Sequence, residues 1–527
     1  MDSSKPKSDL GAANAAPSHG APWWSYINES LTGRNDQDES RPLRPRWEWS
    51  ADEIRRIGYR VVDMIAEHLT TLPEKPVFRP FPPELAAKYL NSKPPESGQE
   101  ADDILATFAR DIEPYPFGNG HPRFYGWVNS PPNVLGIFAE ALAAAMNPSC
   151  AGGNHAAIYV EREVINWFKQ IVGFPAESMG LLVSGGSIAA LTGLAVARQA
   201  QCGFDIRTKG AQGTSPRLRF YRTNEGHGCH QKALELMGIG SENLRCVGHD
   251  RALRMVPSAL DDAIREDRRN EDLPIAVIAS AGTVNTGAID PLDEIADVCA
   301  KHKVWLHVDG AYGAPAILTA QYAKQLSALS RADSLALDPH KWLYVPVEAA
   351  VVLVRDARHM RATFSLVPPY LQTDGKPEGV GGLPWFSEYG FQQTRGFRAL
   401  KVWMALRYHG LSGYRSSIAR DIELAERLAS SLKTSGDFEV YEPQSLSIVC
   451  FRYAPVNLRN NAQMVDDLNK AILEKVQLGG QAFLSSTVLD GRFWLRACII
   501  NPRTCEEDLE ELVLNLISSA RAANTAT

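Results

Sequence analysis

The sequence predicts an α/β protein built on a mostly parallel sheet, followed by a smaller α+β region. Between about residues 131 and 400, apolar runs of strand length alternate with helical stretches of ten or more residues, the pattern of a sheet covered on both faces. From 401 to 527 short strands are interleaved with two helices instead. The chain has 527 residues, 44% hydrophobic and 22% charged. That composition supports a sizeable core and excludes a wholly disordered chain, a collagen-like fibre and a small disulfide scaffold.

Taken in order, residues 1–46 are rich in Ser, Pro, Asn and Gly with little periodicity and read as a disordered extension, although Trp23, Trp24 and Tyr26 make it more than a plain linker. Ser50-Ala51-Asp52-Glu53 is a capping box that opens a helix through about Leu69. Its apolar stripe, Ile54, Ile57, Val61, Ile65 and Leu69, needs a partner surface. With a second helix near 100–112, residues 47–130 form an N-terminal helical segment. The large domain, 131–400, carries expected strands at 217–222, 275–280, 304–308, 334–337 and 349–354. The C-terminal domain carries strands at 438–440, 447–453 and 492–499, with helices near 461–476 and 505–521.

A formal charge of −6 and the lack of a long basic run argue against a nucleic-acid or anionic-membrane partner. A small molecule or a second copy of the chain is expected instead. Eight scattered cysteines suggest reduced thiols, with neither a metal site nor a disulfide framework. The first residues lack the apolar core of a signal peptide, and Val134 to Met146 is too short to cross a bilayer, so a cytoplasmic protein is expected.

Three features carry chemistry. Lys341, in Asp338-Pro339-His340-Lys341-Trp342, directly follows an apolar strand, where open α/β sheets bind ligands. Partial desolvation there is expected to depress its pKa and suit it to imine chemistry, though a lysine can also snorkel at a surface. Asp309 ends the apolar strand Trp305 to Val308; an acid so placed can hold a heterocyclic nitrogen protonated, or cap a helix. Small residues follow at Gly310, Ala311 and Gly313, leaving room for a flat ring. Ser184-Gly185-Gly186-Ser187 opens a helix, and free N–H groups at such a start bind phosphate. The turn lacks both nucleotide-loop and dinucleotide spacing, so a phosphate carried by another group fits better.

Together with His227, Gly282-Thr283, His307-Val308-Asp309-Gly310-Ala311 and Pro368-Pro369-Tyr370-Leu371, these motifs stand in the order of a known family. From about Trp47 onward the chain resembles the group II pyridoxal phosphate dependent amino-acid decarboxylases, most of all the aromatic L-amino acid decarboxylase branch. The resemblance implies a fold type I enzyme with a mostly parallel, seven-stranded type of sheet, working as a homodimer with pyridoxal 5'-phosphate. Lys341 would carry the cofactor and Asp309 would pair with its ring nitrogen. Ala311 and His227 would flank the ring, while Gly186, Ser187, Thr283 and His340 would surround the phosphate. Tyr370 would return a proton after carbon dioxide leaves, from the glycine-rich stretch 371–382 that reads as a mobile lid. Ser130 and Trp127 would face the substrate.

Relatives often carry Asn where this chain has Asp338, which would be repelled by phosphate unless turned away. Asn147 to His155 is small and polar where aromatic decarboxylases tend to be bulky. The leading expectation is decarboxylation of an aromatic L-amino acid to an amine. An aldehyde synthase with the same cofactor, an acidic amino-acid decarboxylase and a non-catalytic scaffold are the alternatives.

Overall fold

The computed structural model describes residues 48–211, 216–366 and 379–524, which divide into two compact units. In the first, residues 48–68 and 81–115, the helix Ala51–Thr71 opens on the expected capping box: Glu53 N–H donates to Ser50 Oγ at 3.2 Å and Ser50 N–H donates to Glu53 Oε2 at 2.9 Å. Arg56 donates to both oxygens of Asp102 (2.9 and 3.0 Å), tying this helix to Ala101–Thr107, which continues as a π-turn over Phe108–Ile112. No residue of the first helix is buried, and Ile54 and Val61 of its apolar stripe are exposed.

The second unit, residues 69–80 and 116 onward, contains two sheets. Seven strands build the larger: β1 (Met179–Val183), β2 (Leu218–Arg222), β3 (Leu244–Cys246), β4 (Leu273–Ser280), β5 (Trp305–Asp309), β6 (Ser334–Leu337) and β7 (Ala350–Val354). Their order is β1-β7-β6-β5-β4-β2-β3, parallel except that β7 runs against both its neighbours. Strands buried on both faces read as continuous apolar runs, as β4 does in Ile275-Ala276-Val277-Ile278-Ala279. The smaller sheet, β8 (Phe438–Val440), β9 (Ile448–Tyr453), β10 (Ser485–Leu489) and β11 (Arg492–Cys498), is antiparallel in the order β10-β11-β9-β8. The strands β1, β3 and β10 were not anticipated from the sequence.

Two buried polar clusters fix the frame. Arg395 and Glu161 form an ion pair with side chains 2% and 0% exposed. Arg395 also donates to Cys150 O (2.8 Å) and Leu182 O (2.6 Å), and Glu161 accepts from Leu182 N–H (3.0 Å), so every charge has partners. Asp421, on the helix Ala399–Thr434, accepts from Trp342 Nε1 (2.9 Å) and Tyr344 Oη (2.7 Å), pinning the turn after Lys341. All eight cysteines are free, six of them buried. Among the described residues no helix is long and apolar enough to cross a membrane.

Candidate active site

Strand ends and one helix start converge on a cavity of about 460 Å³ at the C-terminal ends of β4, β5 and β6. Of the residues singled out in the sequence, Trp127, Gly186, Ser187, His227, Thr283, Asp309, Ala311, His340 and Lys341 all line it. Tyr370 lies outside the described residues. Ser130 lies elsewhere than expected: it is buried, and its hydroxyl donates to the His340 carbonyl (3.0 Å), so it braces the cavity wall from behind instead of facing a substrate.

Lys341 lies in the turn after β6, with Nζ 2.9 Å from Asp338 Oδ2. The expectation of a depressed pKa is corrected here. Burial does oppose the charge, but the carboxylates of Asp338 and Asp309 outweigh it and hold Lys341 above the usual lysine range. The departure at 338 thus provides a counterion to the lysine. Asp338 also lines the cavity, with Oδ1 lacking a hydrogen-bond partner.

Asp309 ends β5. Its Oδ1 accepts from Ala311 N–H (3.1 Å), and its Oδ2 lies 3.1 Å from His230 Nε2, an ion-pair contact too oblique for a hydrogen bond. Burial alone would raise Asp309; the His230 charge, joined by Lys341, reverses this and holds it far below the carboxylate range. Sequence reasoning missed His230 and Cys229, although the one-turn spacing from His227 places all three near the start of the helix Cys229–Leu236. Burial pushes the Cys229 thiol up, but its contacts with His227 and His230 prevail and bring it down to about 7. A ring nitrogen of His230, the sulfur of Cys229 and a carboxylate oxygen of Asp309 lie within 4.8 Å of one another.

The remaining walls are equally specific. His227 Nδ1 accepts from Cys229 N–H (3.1 Å), which leaves the proton of a neutral ring on Nε2. Gly186 begins the helix Gly186–Gln201, and a Cβ there would meet Asp338 Oδ2 at 2.8 Å, so a side chain at this position would displace Asp338. His340 Nδ1 lies 2.7 Å from Ala349 O; burial lowers its pKa, and the neutral ring donates this bond. Thr283 Oγ1 faces Thr286 Oγ1 at 3.2 Å and accepts from Ala288 N–H at 3.1 Å. Trp127 stacks on Phe117 (ring centroids 5.1 Å apart) and lies 5.5 Å from Phe483, forming an aromatic wall. The small, polar stretch 147–155 does not line the cavity. A Cβ on Gly152 would strike the Trp385 ring at 2.3 Å, so smallness there is a packing requirement.

This donor set fits pyridoxal phosphate. An amine for its aldehyde, a largely enclosed carboxylate for its ring nitrogen and a glycine-opened helix start for its phosphate line one cavity.

Comparison with known proteins agrees. The family described as "Pyridoxal-dependent decarboxylase conserved domain" matches residues 83–454. The chain is 37% identical over 469 residues to an aromatic-L-amino-acid decarboxylase of Bacillus atrophaeus, covering 89% of this chain and 95% of that one. It is 26% identical to a phenylacetaldehyde synthase of Arabidopsis thaliana, over 88% of this chain and 94% of that one. The crystal structure of Oryza sativa TDC with PLP and tryptamine superposes with a TM-score of 0.84 at 25% identity, covering 91% of this chain and 99% of that one. The chain therefore belongs to the pyridoxal-dependent decarboxylase family and is a pyridoxal phosphate dependent carboxy-lyase.

Proposed function

We propose that this protein decarboxylates an aromatic L-amino acid to the corresponding amine and carbon dioxide, as a cytoplasmic homodimer. The observation that carries the substrate class is the aromatic wall: Trp127 lines the cavity and is braced by Phe117 and Phe483. A flat side chain gains dispersion and quadrupole complementarity against such rings. Lys341 is the one lysine or arginine among the described residues that line the cavity, and it already has Asp338 as counterion, so an acidic side chain would find no free cation. The Bacillus atrophaeus relative, whose name gives aromatic L-amino acids as its substrates, supports the same class.

In this reading Lys341 holds the cofactor, Asp309 pairs with its ring nitrogen, and Ala311 and His227 bound the ring. Gly186, Ser187, Thr283 and His340 hold the phosphate, with Ser130 fixing the His340 backbone. Bound there, pyridoxal phosphate supplies a conjugated ring that takes up the electron pair left when carbon dioxide departs. The wall around Trp127 orients the substrate so that the carboxylate, and no other group, is the one lost. Tyr370 then delivers its phenolic proton to the substrate carbon. The uncovered stripe of Ala51–Thr71 supports a dimer, because exposed Ile54 and Val61 need a surface to cover them.

The test is a carbon dioxide release screen over aromatic and acidic L-amino acids with added cofactor, paired with mass spectrometry of the borohydride-reduced protein. Aromatic turnover and an adduct on Lys341 are expected. Turnover of acidic substrates alone, or an adduct elsewhere, would overturn the proposal. Sedimentation should give a dimer; a stable, active monomer would contradict it.

A further inference from the structure

His230 has no role in the proposed function, yet its ring lies against the Asp309 carboxylate. The ring is 0% exposed, and neither nitrogen has a hydrogen-bond partner among the described residues. What it does have is the carboxylate of Asp309 at 3.1 Å, on the oxygen that Ala311 N–H leaves free. A carboxylate ionised in such a site costs several kcal/mol unless a buried cation compensates it.

Candidates for that cation can be counted element by element. From the turn after β6, Lys341 is engaged 2.9 Å away by Asp338. From β5, His307 faces His230 with ring centroids 6.4 Å apart. Its Nδ1 lies 2.8 Å from Ser334 Oγ, which also accepts from the Trp305 indole at 2.8 Å. Burial, reinforced by the neighbouring His230 charge, pushes His307 down to about 3. From its own helix and the turn before it come Cys229, whose thiol is brought down to about 7 and whose negative form would add to the pull on His230, and His227, an imidazole that accepts from backbone. Among the described residues, His230 is left as the cationic group in contact with Asp309, with Lys341 acting on it from farther away.

We propose that His230 is a positioning residue: a buried imidazolium that keeps Asp309 ionised and aimed at the cofactor's ring nitrogen. The inference rests on the function proposed above and acts through Asp309, without contact with substrate. The direction of its titration agrees. Burial would lower His230, but the contacts with Asp309 and Cys229 outweigh burial and raise it.

Two measurements test it. In the cofactor-free protein labelled with 15N-histidine, the ring signal lost in His230→Gln should remain that of an imidazolium up to about pH 8, and in Asp309→Asn should titrate at or below the ordinary value of about 6.5. A ring neutral at pH 7 in the wild type would overturn the proposal whether or not any variant folds. In the holoenzyme, His230→Gln and His230→Phe should lose the absorption of the ring-protonated cofactor about one pH unit or more below the wild type. Their kcat should fall about tenfold or more, with KM within about threefold. Variants with wild-type melting temperature, absorption profile and kcat would also overturn it. Failure of the wild type to attach cofactor at Lys341 would instead sink the proposed function, leaving the charge state of His230 in the cofactor-free protein as a separate result.

Discussion

Asp338 Oδ2 lies 2.9 Å from Lys341 Nζ, so the amine we propose as the cofactor's attachment point rests as an ammonium against a buried carboxylate. Only the uncharged amine attacks a carbonyl, and Asp338 works against that form. Asp338→Asn should lower the Lys341 pKa and speed cofactor attachment at neutral pH by about threefold or more, an advantage that vanishes once the pH exceeds the wild-type pKa. Stopped-flow absorbance of cofactor addition to the cofactor-free protein, followed against pH, checks this. A slower variant would mean that Asp338 serves mainly to orient the lysine.

The Arg395–Glu161 pair should behave as a buried pair does when broken from one side. Arg395→Met leaves Glu161 charged and enclosed, and should cost about 3–5 kcal/mol in denaturant unfolding. Adding Glu161→Leu should recover part of this. Recovery stays incomplete because the carbonyls of Cys150 and Leu182 and the Leu182 N–H all lose partners.

Asp421 gives a pH-dependent prediction. Burial raises its pKa to about 7, even though the hydroxyl of Tyr344 and the indole of Trp342 donate to it. Below about pH 4 the carboxyl is protonated in both the folded and the unfolded chain and has no effect. As pH rises, the unfolded chain ionises first, so stability falls between about pH 4 and pH 7 and is level above that. Asp421→Asn keeps an acceptor for both donors and cannot ionise. It should match the wild type near pH 4 in urea unfolding and exceed it by about 1 kcal/mol or more at about pH 8.

Tyr370→Phe addresses the fate of the substrate carbon. With the phenolic proton gone, product should shift from amine toward aldehyde, the outcome in the name of the Arabidopsis thaliana relative. Chromatography of amine and aldehyde from one reaction gives the ratio. An unchanged ratio would remove Tyr370 from the assigned role.

What could be seen in the sequence was whatever announces itself locally. Asp309 ends an apolar strand, Lys341 lies in the turn that follows one, and Gly186 opens a helix, so residue type and neighbours sufficed to place all three on the cavity wall. The pairings were invisible because they are made across the sheet. His230 meets Asp309 only because β5 lies in the sheet beside β4 and β4 beside β2, and no spacing in the chain encodes that order. The Lys341 pKa went the opposite way to expectation because burial was weighed and two carboxylates were not. Among the strands, β3 has only three residues and β10, Ser485-Ser486-Thr487-Val488-Leu489, is a largely polar edge, so neither offers the apolar run by which β4 was found. Ser130 misled for a related reason: a hydroxyl in a promising neighbourhood can be wholly engaged by a carbonyl distant in sequence.

The reversed strand β7 has one further consequence. Residues 338–349, with Lys341 among them, leave the sheet from β6 and return to it on the adjacent β7, and Trp342 is stacked on Tyr312 (centroids 4.9 Å), whose hydroxyl meets Ser447 at 2.7 Å beside the second sheet. The amine is moored at both ends and in the middle. Grafting this chemistry onto another scaffold would mean transplanting a hairpin and its tether to a neighbouring lobe, since a lysine set on an ordinary crossover between parallel strands would lack its anchorage.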